Sequence, residues 1–489
     1  MSYDLAWLQN PAAQRCILVE ATAQVAGIET TFYLSTKGYI TENGDTPSNT
    51  NYIPCIVGGL QITETLPLDG TPSLAYGDIE IQNLDGSKDA WLGYIWKNRT
   101  IRVYVGDRTW PRSSFQLIFN GVLEDIGSKS YDRLNFTIRD KLQLLNCPIS
   151  EVTLGGSTTN ANSLIPLVFG ECCNITPLLS NPATLEYQVH NGQIERIIEV
   201  RDNGVPVIGF TSYLSTGKFT LSAAPAGIIT ASIQGDSPGG VYSNTVSKLI
   251  QRIVQDFGKV STNFSSADLD AANLAAFEAA NQQPVGVTIS DRDNVITVIQ
   301  KLATSVGAQP SNSREGKLRL LRIAFPPSGT PFAVTTRDML DKSLYISDRT
   351  KVIAATKIGY CKNWTVEDNL QTGIPVEHKD LFSKEYLTVT VADPTITANY
   401  KLDNEPVERD TLLLTTNDAD TEATRELNVF KVPRHIYSFV GFAPCFLIEL
   451  GQAVTITHPR FGLASGATGI AVSLQTDWLQ FTVQVGVLI

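Results

Sequence analysis

Short β-forming runs separated by turn residues fill both ends of this 489-residue chain, and a helix-bearing segment lies between them. In the first 147 residues, positions 16–25 (CILVEATAQV) are rich in β-formers and 29–34 read as their hairpin partner. Further short strands fall at 79–81, 101–105 (IRVYV), 115–119 and 134–138. The turn clusters Asn43-Gly44-Asp45, Leu84-Asp85-Gly86 and Asn120-Gly121 divide them. Many short strands at such spacing predict a barrel or a sandwich.

From about 148 the chain turns to Gly, Ser, Asn and Pro, with strands at 194–200 and 228–233. Two helices follow. Val246, Leu249, Ile250, Ile253, Val254 and Phe257 recur at helical spacing, with Ser243 or Asn244 as cap. Val295, Val298, Ile299, Leu302 and Val306 form one apolar stripe, with Ser290 and Asp293 at its start and Gly307 at its stop. A short Ala-rich helix is expected at 269–280, and KLRLLRI (317–323) returns to a strand. The last 160 or so residues read as strands at 352–360, 385–391, 434–440, 453–457, 471–475 and 480–487, with one helix at 419–430. The expected fold is therefore mainly β and multi-domain, two barrel or sandwich regions flanking a mixed α/β centre. The expected domains are residues 1–147, a β-barrel; 148–240, β-rich; 241–325, small α/β; and 326–489, β-rich with a second barrel.

Composition narrows the class of partner. Apolar residues make up 43%, a globular value, whereas charged residues are only 18%, against about 25% in typical soluble domains. Two compatible readings follow: extra surface buried against partners, or β-faces dressed in Ser, Thr, Asn and Gln. The net charge is −11, without a basic tail or Lys/Arg cluster, which argues against stable nucleic-acid binding. An acidic surface would let DNA slide past without sticking. Seven scattered cysteines without a CxxC read as reduced thiols in a cytoplasmic folding compartment. The start, MSYDLAWLQNPAAQR, lacks the basic-then-apolar pattern of a signal peptide, and no stretch reaches membrane-spanning length.

The candidates for chemistry are weak. Gly235-Asp236-Ser237-Pro238-Gly239 matches the nucleophile elbow of serine hydrolases, but that elbow uses the N–H of the residue after serine, and Pro238 has none. The vicinal pair Cys172-Cys173 invites a metal, yet a site needs about four ligands. The nearest further thiol in sequence is Cys147, and His190, His378, His435 and His458 show no HxH or HxxxH spacing. Buried cysteines acting as small hydrophobes fit better. Glu124-Asp125 or Asp268 with Asp270 could be offered for glycoside hydrolysis, and read more simply as surface acids. His435 and His458, beside Arg434 and Arg460, read as structural. No phosphate-cradling loop is present. No catalytic, cofactor-binding or metal-ligating residue is therefore assigned, and a non-enzymatic protein is expected.

Several segments in order resemble the tail-tip or baseplate hub proteins of tailed bacteriophages. They are Tyr76-Gly77-Asp78-Ile79-Glu80-Ile81-Gln82-Asn83-Leu84-Asp85-Gly86 with Trp91, then Ile101-Arg102-Val103-Tyr104-Val105-Gly106-Asp107, then Phe119-Asn120-Gly121-Val122-Leu123-Glu124-Asp125-Ile126 and Ile138-Arg139-Asp140. Ile165-Pro166-Leu167-Val168-Phe169-Gly170 looks like the family's connector to its second domain. Gly316-Lys317-Leu318-Arg319-Leu320, YCKNWTV (360–366), Ile448-Glu449-Leu450-Gly451 and His458-Pro459-Arg460-Phe461-Gly462 complete the series. Gly77, Gly86 and Gly121 sit where turns need positive φ or close backbone approach, Asn83 and Asp85 are turn formers, and Trp91 is a core anchor.

The resemblance implies a homotrimer in which each subunit carries two small barrels similar to the tail-tube subunit, so that six barrels meet a hexameric tube. It also implies as partners distal-tail and tail-tube proteins, the tape-measure protein, and a central fibre or receptor-binding proteins. DNA would pass transiently, without stable binding, and there would be no membrane anchor. The protein would be assembled in the host bacterial cytoplasm and end in the virion, at the tail tip. Alternatives within a tail are a distal tail ring protein, sixfold and needing fewer domains, or the proximal part of a central fibre. Outside that class stand a tail-borne cell-wall or capsule hydrolase and a carbohydrate-binding adhesin; the aromatic content of 8% marks no sugar-stacking surface.

Overall fold

The computed structural model describes residues 5–68, 70, 73–367, 370 and 374–489. The first four residues of the segment read for a signal peptide lie outside them. The chain forms two compact units, one of residues 1–144, 311–351 and 433–489, the other of 145–310 and 352–432. These units cut the chain differently from four consecutive spans, because the chain leaves the first unit and returns to it twice. The fold is mainly β.

The first unit is built on a single fifteen-stranded sheet. Nine of its strands come from the first 144 residues and six from the two later stretches. Arg15–Val25 lies between Ile28–Ser35 and Thr100–Asp107, and is buried on both faces, which explains its nearly unbroken apolar run. Gln116–Ser130, Arg133–Asp140, Tyr76–Gln82 and Ile56–Thr65 follow in that order. Ile56–Thr65 then pairs on its far side with Ala467–Asp477, Thr65 opposite Ser473 and Gln61 opposite Asp477. Thr482–Leu488, His435–Gly441 and Tyr345–Arg349 carry the sheet on, while Ala453–Thr457 and Phe332–Thr335 branch from Ala467–Asp477.

Of the barrel or sandwich regions expected, no barrel closes among the described residues: the two strand-rich ends share one sheet. The physical reason lies in Ile56–Thr65. A strand has two edges, and the one that would complete an N-terminal barrel is occupied by Ala467–Asp477 along residues 61–65. At the seam Asn51–Pro54 pairs with Ile28–Ser35, and Cys55 after it donates its N–H to Ser35 O (3.1 Å) while its carbonyl accepts from Gln82 N (2.7 Å).

Two cores hold the N-terminal arc. On one side Trp96 sits among Phe32, Trp91 and Phe136 with ring centroids 4.7–5.8 Å apart, its indole N–H bonded to Trp91 O (2.8 Å). Trp91 is thus the anchor expected of it. On the other side Cys16, Leu18, Tyr39, Tyr52 and Phe115 cluster. A charge is admitted there because it is fully satisfied. Glu20 accepts from Tyr52 Oη (2.6 Å) and Arg112 Nη2 (2.7 Å), and the guanidinium stacks 3.7 Å over Tyr104. Gly121 is required by close approach, since a Cβ there would meet Arg139 O; Gly86 turns with φ +67°.

The second unit holds a five-stranded sheet ordered Val205–Pro206, Ile194–Asp202, Ile229–Asp236, Leu167–Ile175 and Gly286–Ile289. A four-stranded sheet of Leu178–Asn181, Glu186–Gln188, Lys218–Leu221 and Phe210–Tyr213 packs with it around Val168, Cys172, Val189, Phe219 and Ile233. The expected helices form as Val246–Asp256, Ala271–Ala280, Val295–Thr304 and Thr416–Phe430, the last capped by Thr415 accepting from Asp418 N. The first begins after Thr245 and the third after Asn294, neither with a side-chain cap bond, so the capping residues expected for them are displaced. Val376–Phe382 and Pro394–Tyr400 add two short helices. Glu422, buried on Thr416–Phe430, is held by Arg409 and Arg425, each at 2.7 Å.

Candidate assembly surfaces

A sheet that does not close ends in edges, and the edges of the first unit are its most reactive backbone. At one end Tyr345–Arg349 pairs inward with His435–Gly441, and all five of its residues are exposed. Among the described residues no strand covers its outer side. Tyr345 and Ile346 give this edge an apolar first half, Asp348 and Arg349 a charged second half. A register slip between Ile346 and Asp348 twists it, a device that limits indiscriminate pairing. At the other end Tyr39–Ile40 pairs with Asn51–Pro54. Tyr39 and Tyr52 point inward, whereas Ile40, 68% exposed, and Ile53 share the outer face. Such an arrangement offers strand pairing and apolar contact to another chain.

The residues singled out for chemistry fall into structural roles. Ser237 is buried and donates to Glu195 Oε2 (2.9 Å). His190 Nδ1 accepts from Val168 N (3.0 Å), so the ring proton sits on Nε2, 3.3 Å from Asp236 Oδ1. Burial would raise the Asp236 carboxyl, but His190 and Arg252 outweigh it and hold it below the usual range. The histidine and aspartate are therefore engaged away from the serine. Glu124 pairs with Arg139, and Asp125 accepts from the following N–H. Asp268 completes a capping box with Ser265, and Asp270 caps Ala271–Ala280. Arg434 stacks 3.4 Å over Phe325 and His458 accepts from Arg460 N.

Cys172 is buried in the core, its thiol pushed up to a high pKa by burial, as expected of a small hydrophobe. Cys173 is not; its thiol faces that of Cys361. Among the described residues no three His, Cys, Asp or Glu side chains gather as a metal site. Nor is any described helix long and apolar enough to cross a membrane.

One cleft escaped the sequence reading. Tyr360, Glu385, Tyr386, Glu408 and Asp410 line an open hollow of about 620 Å³ in the second unit. The strand Glu408–Asp410 runs parallel to Ala355–Tyr360, and its alternation puts both carboxylates on one face, Gly359 lying opposite Asp410. Lys357 and Lys362 neutralise Glu408 (3.2 Å) and Glu385 (3.1 Å), while burial and then Glu408 and Glu385 push the Asp410 carboxyl up. The available signal was that alternation in Glu408-Arg409-Asp410.

No protein-family model matches the chain, and no curated protein matches it. Solved structures similar to it include a tail protein and two prophage tail proteins. A tail protein from Neisseria meningitidis MC58 aligns at 10% identity and TM-score 0.43, over 97% of this chain and 96% of that one. The 43 kDa tail protein of prophage MuSo2 from Shewanella oneidensis gives 12%, 0.42, 97% and 98%; prophage tail protein gp18 from Listeria monocytogenes EGD-e gives 10%, 0.42, 96% and 94%.

Proposed function

We propose that this chain is a structural, non-enzymatic component of a phage tail: the tail-tip or baseplate hub that closes the tube. The reading rests on the hub-like order of segments from Tyr76 to Gly462. The observation that carries it is the union of the two strand-rich ends in one sheet through Ile56–Thr65 and Ala467–Asp477. A subunit with two β-regions side by side can fill two positions of a ring, so three subunits match a sixfold tube. The exposed Tyr345–Arg349 and Tyr39–Ile40 edges are suited to continuing the sheet between neighbours. In this role the ring holds the end of the tape-measure protein, meets distal-tail and tube proteins above and carries a central fibre or receptor-binding proteins below. It forms part of the channel through which DNA leaves, and the net charge of −11 favours passage over binding.

The test is the symmetry and place of the protein in virions. Threefold rings of the purified chain, and three copies per particle at the tail tip by labelled electron microscopy, are the expected results. Six copies would instead fit a distal tail ring, and absence from the tail would end the proposal.

A further inference from the structure

Two backbone irregularities in the second unit set two thiols side by side. Leu167–Ile175 pairs Cys172 with Ile233, then slips and resumes with Ile175 opposite Ala231. Asn174, inside the slip, takes φ +50°. The slip turns the Cys173 backbone outward, where its carbonyl accepts from Trp364 N (3.2 Å) and a parallel bridge joins Cys173 to Asn363. Two residues before that bridge Cys361 also takes φ +50°, its N–H held by Leu413 O (2.7 Å). Left-handed non-glycine residues are costly and cluster where geometry serves a function. Here both bring the Cys173 and Cys361 side chains into hydrogen-bond contact. Both are half-buried, within reach of a small reagent, whereas Cys172 beside them is closed inside the core.

We infer that Cys173 and Cys361 form a disulfide-forming site whose oxidant is a low-molecular-weight disulfide such as oxidised glutathione. The Cys361 thiolate attacks one sulfur of glutathione disulfide; that S–S bond breaks and one glutathione leaves, taking up a proton. Cys173 then loses its proton to solvent and attacks the Cys361 sulfur, expelling the second glutathione. Two protein thiols are oxidised and one glutathione disulfide is reduced to two thiols. The hydrogen bond from Cys173 holds the Cys361 thiol at about 7, below the usual thiol range, and the same bond with burial pushes Cys173 up, so Cys361 is the attacking group. The new bond would tie residues 145–310 to 352–432, the two stretches from which this unit is assembled.

The experiment treats the full chain with oxidised glutathione at mildly alkaline pH, alkylates the remaining thiols after denaturation, and maps linked peptides by mass spectrometry. The seven thiols should fall to five, with fragmentation joining residue 173 to residue 361. Tm should rise by several degrees and return on reduction. Cys173→Ser and Cys361→Ser should each keep their six remaining thiols with no such rise, and Cys172→Ser should still form the bond. The wild-type result decides the matter even if a variant folds poorly. Seven surviving thiols, a link through Cys172, or a glutathione adduct that never resolves would each overturn the inference.

Discussion

The amide of Cys55 donates to the carbonyl of Ser35 at 3.1 Å, while the carbonyl of Cys55 accepts from Gln82. Cys55 links Asn51–Pro54, which pairs with Ile28–Ser35, to Ile56–Thr65, which pairs with Tyr76–Gln82. The arc is thereby curved like a barrel wall yet leaves Ile56–Thr65 available to the C-terminal strands. Curvature and continuity are properties that the proposed ring subunit would need together.

The core of that arc depends on Trp96. Trp96→Ala would remove a fully enclosed indole touching Phe32, Trp91 and Phe136, and its hydrogen bond to Trp91 O. A loss of about 3–5 kcal/mol is expected, measured by urea unfolding. A loss below about 1 kcal/mol would show that the aromatic cluster is not a stabilising centre.

Glu422 makes a different demand. Glu422→Ala would strand Arg409 and Arg425 around an empty buried site, with Arg409 retaining Glu426 at 2.8 Å. The expected cost is about 3 kcal/mol, and the double variant with Arg425→Met should recover part of it. No recovery in that cycle would mean that the charge pair is not what stabilises the helix.

Asp140 gives the fold an unusual response to pH. Burial pushes its carboxyl up to about 7, against the N–H groups of Ala75 and Leu142 that it accepts from, with Glu64 adding to the rise. Unfolded, an aspartate titrates near ~3.9. Between those values the native protein keeps a proton that the unfolded chain has released, so this group's contribution to stability falls as pH rises. The slope is ~1.4 kcal/mol per pH unit, ending as pH passes about 7. Asp140→Asn should remove that component; identical pH–stability slopes for both proteins from pH 4 to 7 would refute it.

The open edge is testable without harming the fold. Ile346→Lys on Tyr345–Arg349 changes an exposed residue, and stability should stay within about 0.5 kcal/mol. The concentration needed for assembly of the proposed ring should rise at least tenfold, read by analytical ultracentrifugation. Unchanged assembly would remove this edge from the subunit interface.

The helices were legible because their burial repeats every three to four residues, as in Val295, Val298, Ile299 and Leu302. The strands Arg15–Val25 and Thr100–Asp107 announced themselves by β-branched and aromatic density. Ile56–Thr65 did not. Gly58 and Gly59 interrupt its pattern, Gly59 has φ +74°, and its register slips twice against Tyr76–Gln82. The one strand that decides whether a barrel closes is thus the one whose sequence looks least like a strand. The Cys173–Cys361 contact was illegible for another reason: it depends on two local left-handed residues and on a chain return that no periodicity encodes.

Order of synthesis gives the shared sheet a further meaning. Ile56–Thr65 emerges from the ribosome before its partner Ala467–Asp477, with residues 66–466 made between them. Until then the nascent N-terminal arc carries an unsatisfied row of backbone groups along residues 61–65. A chain cut short before residue 467 would keep that row exposed and sticky, so the N-terminal arc is complete only once Ala467–Asp477 has been made.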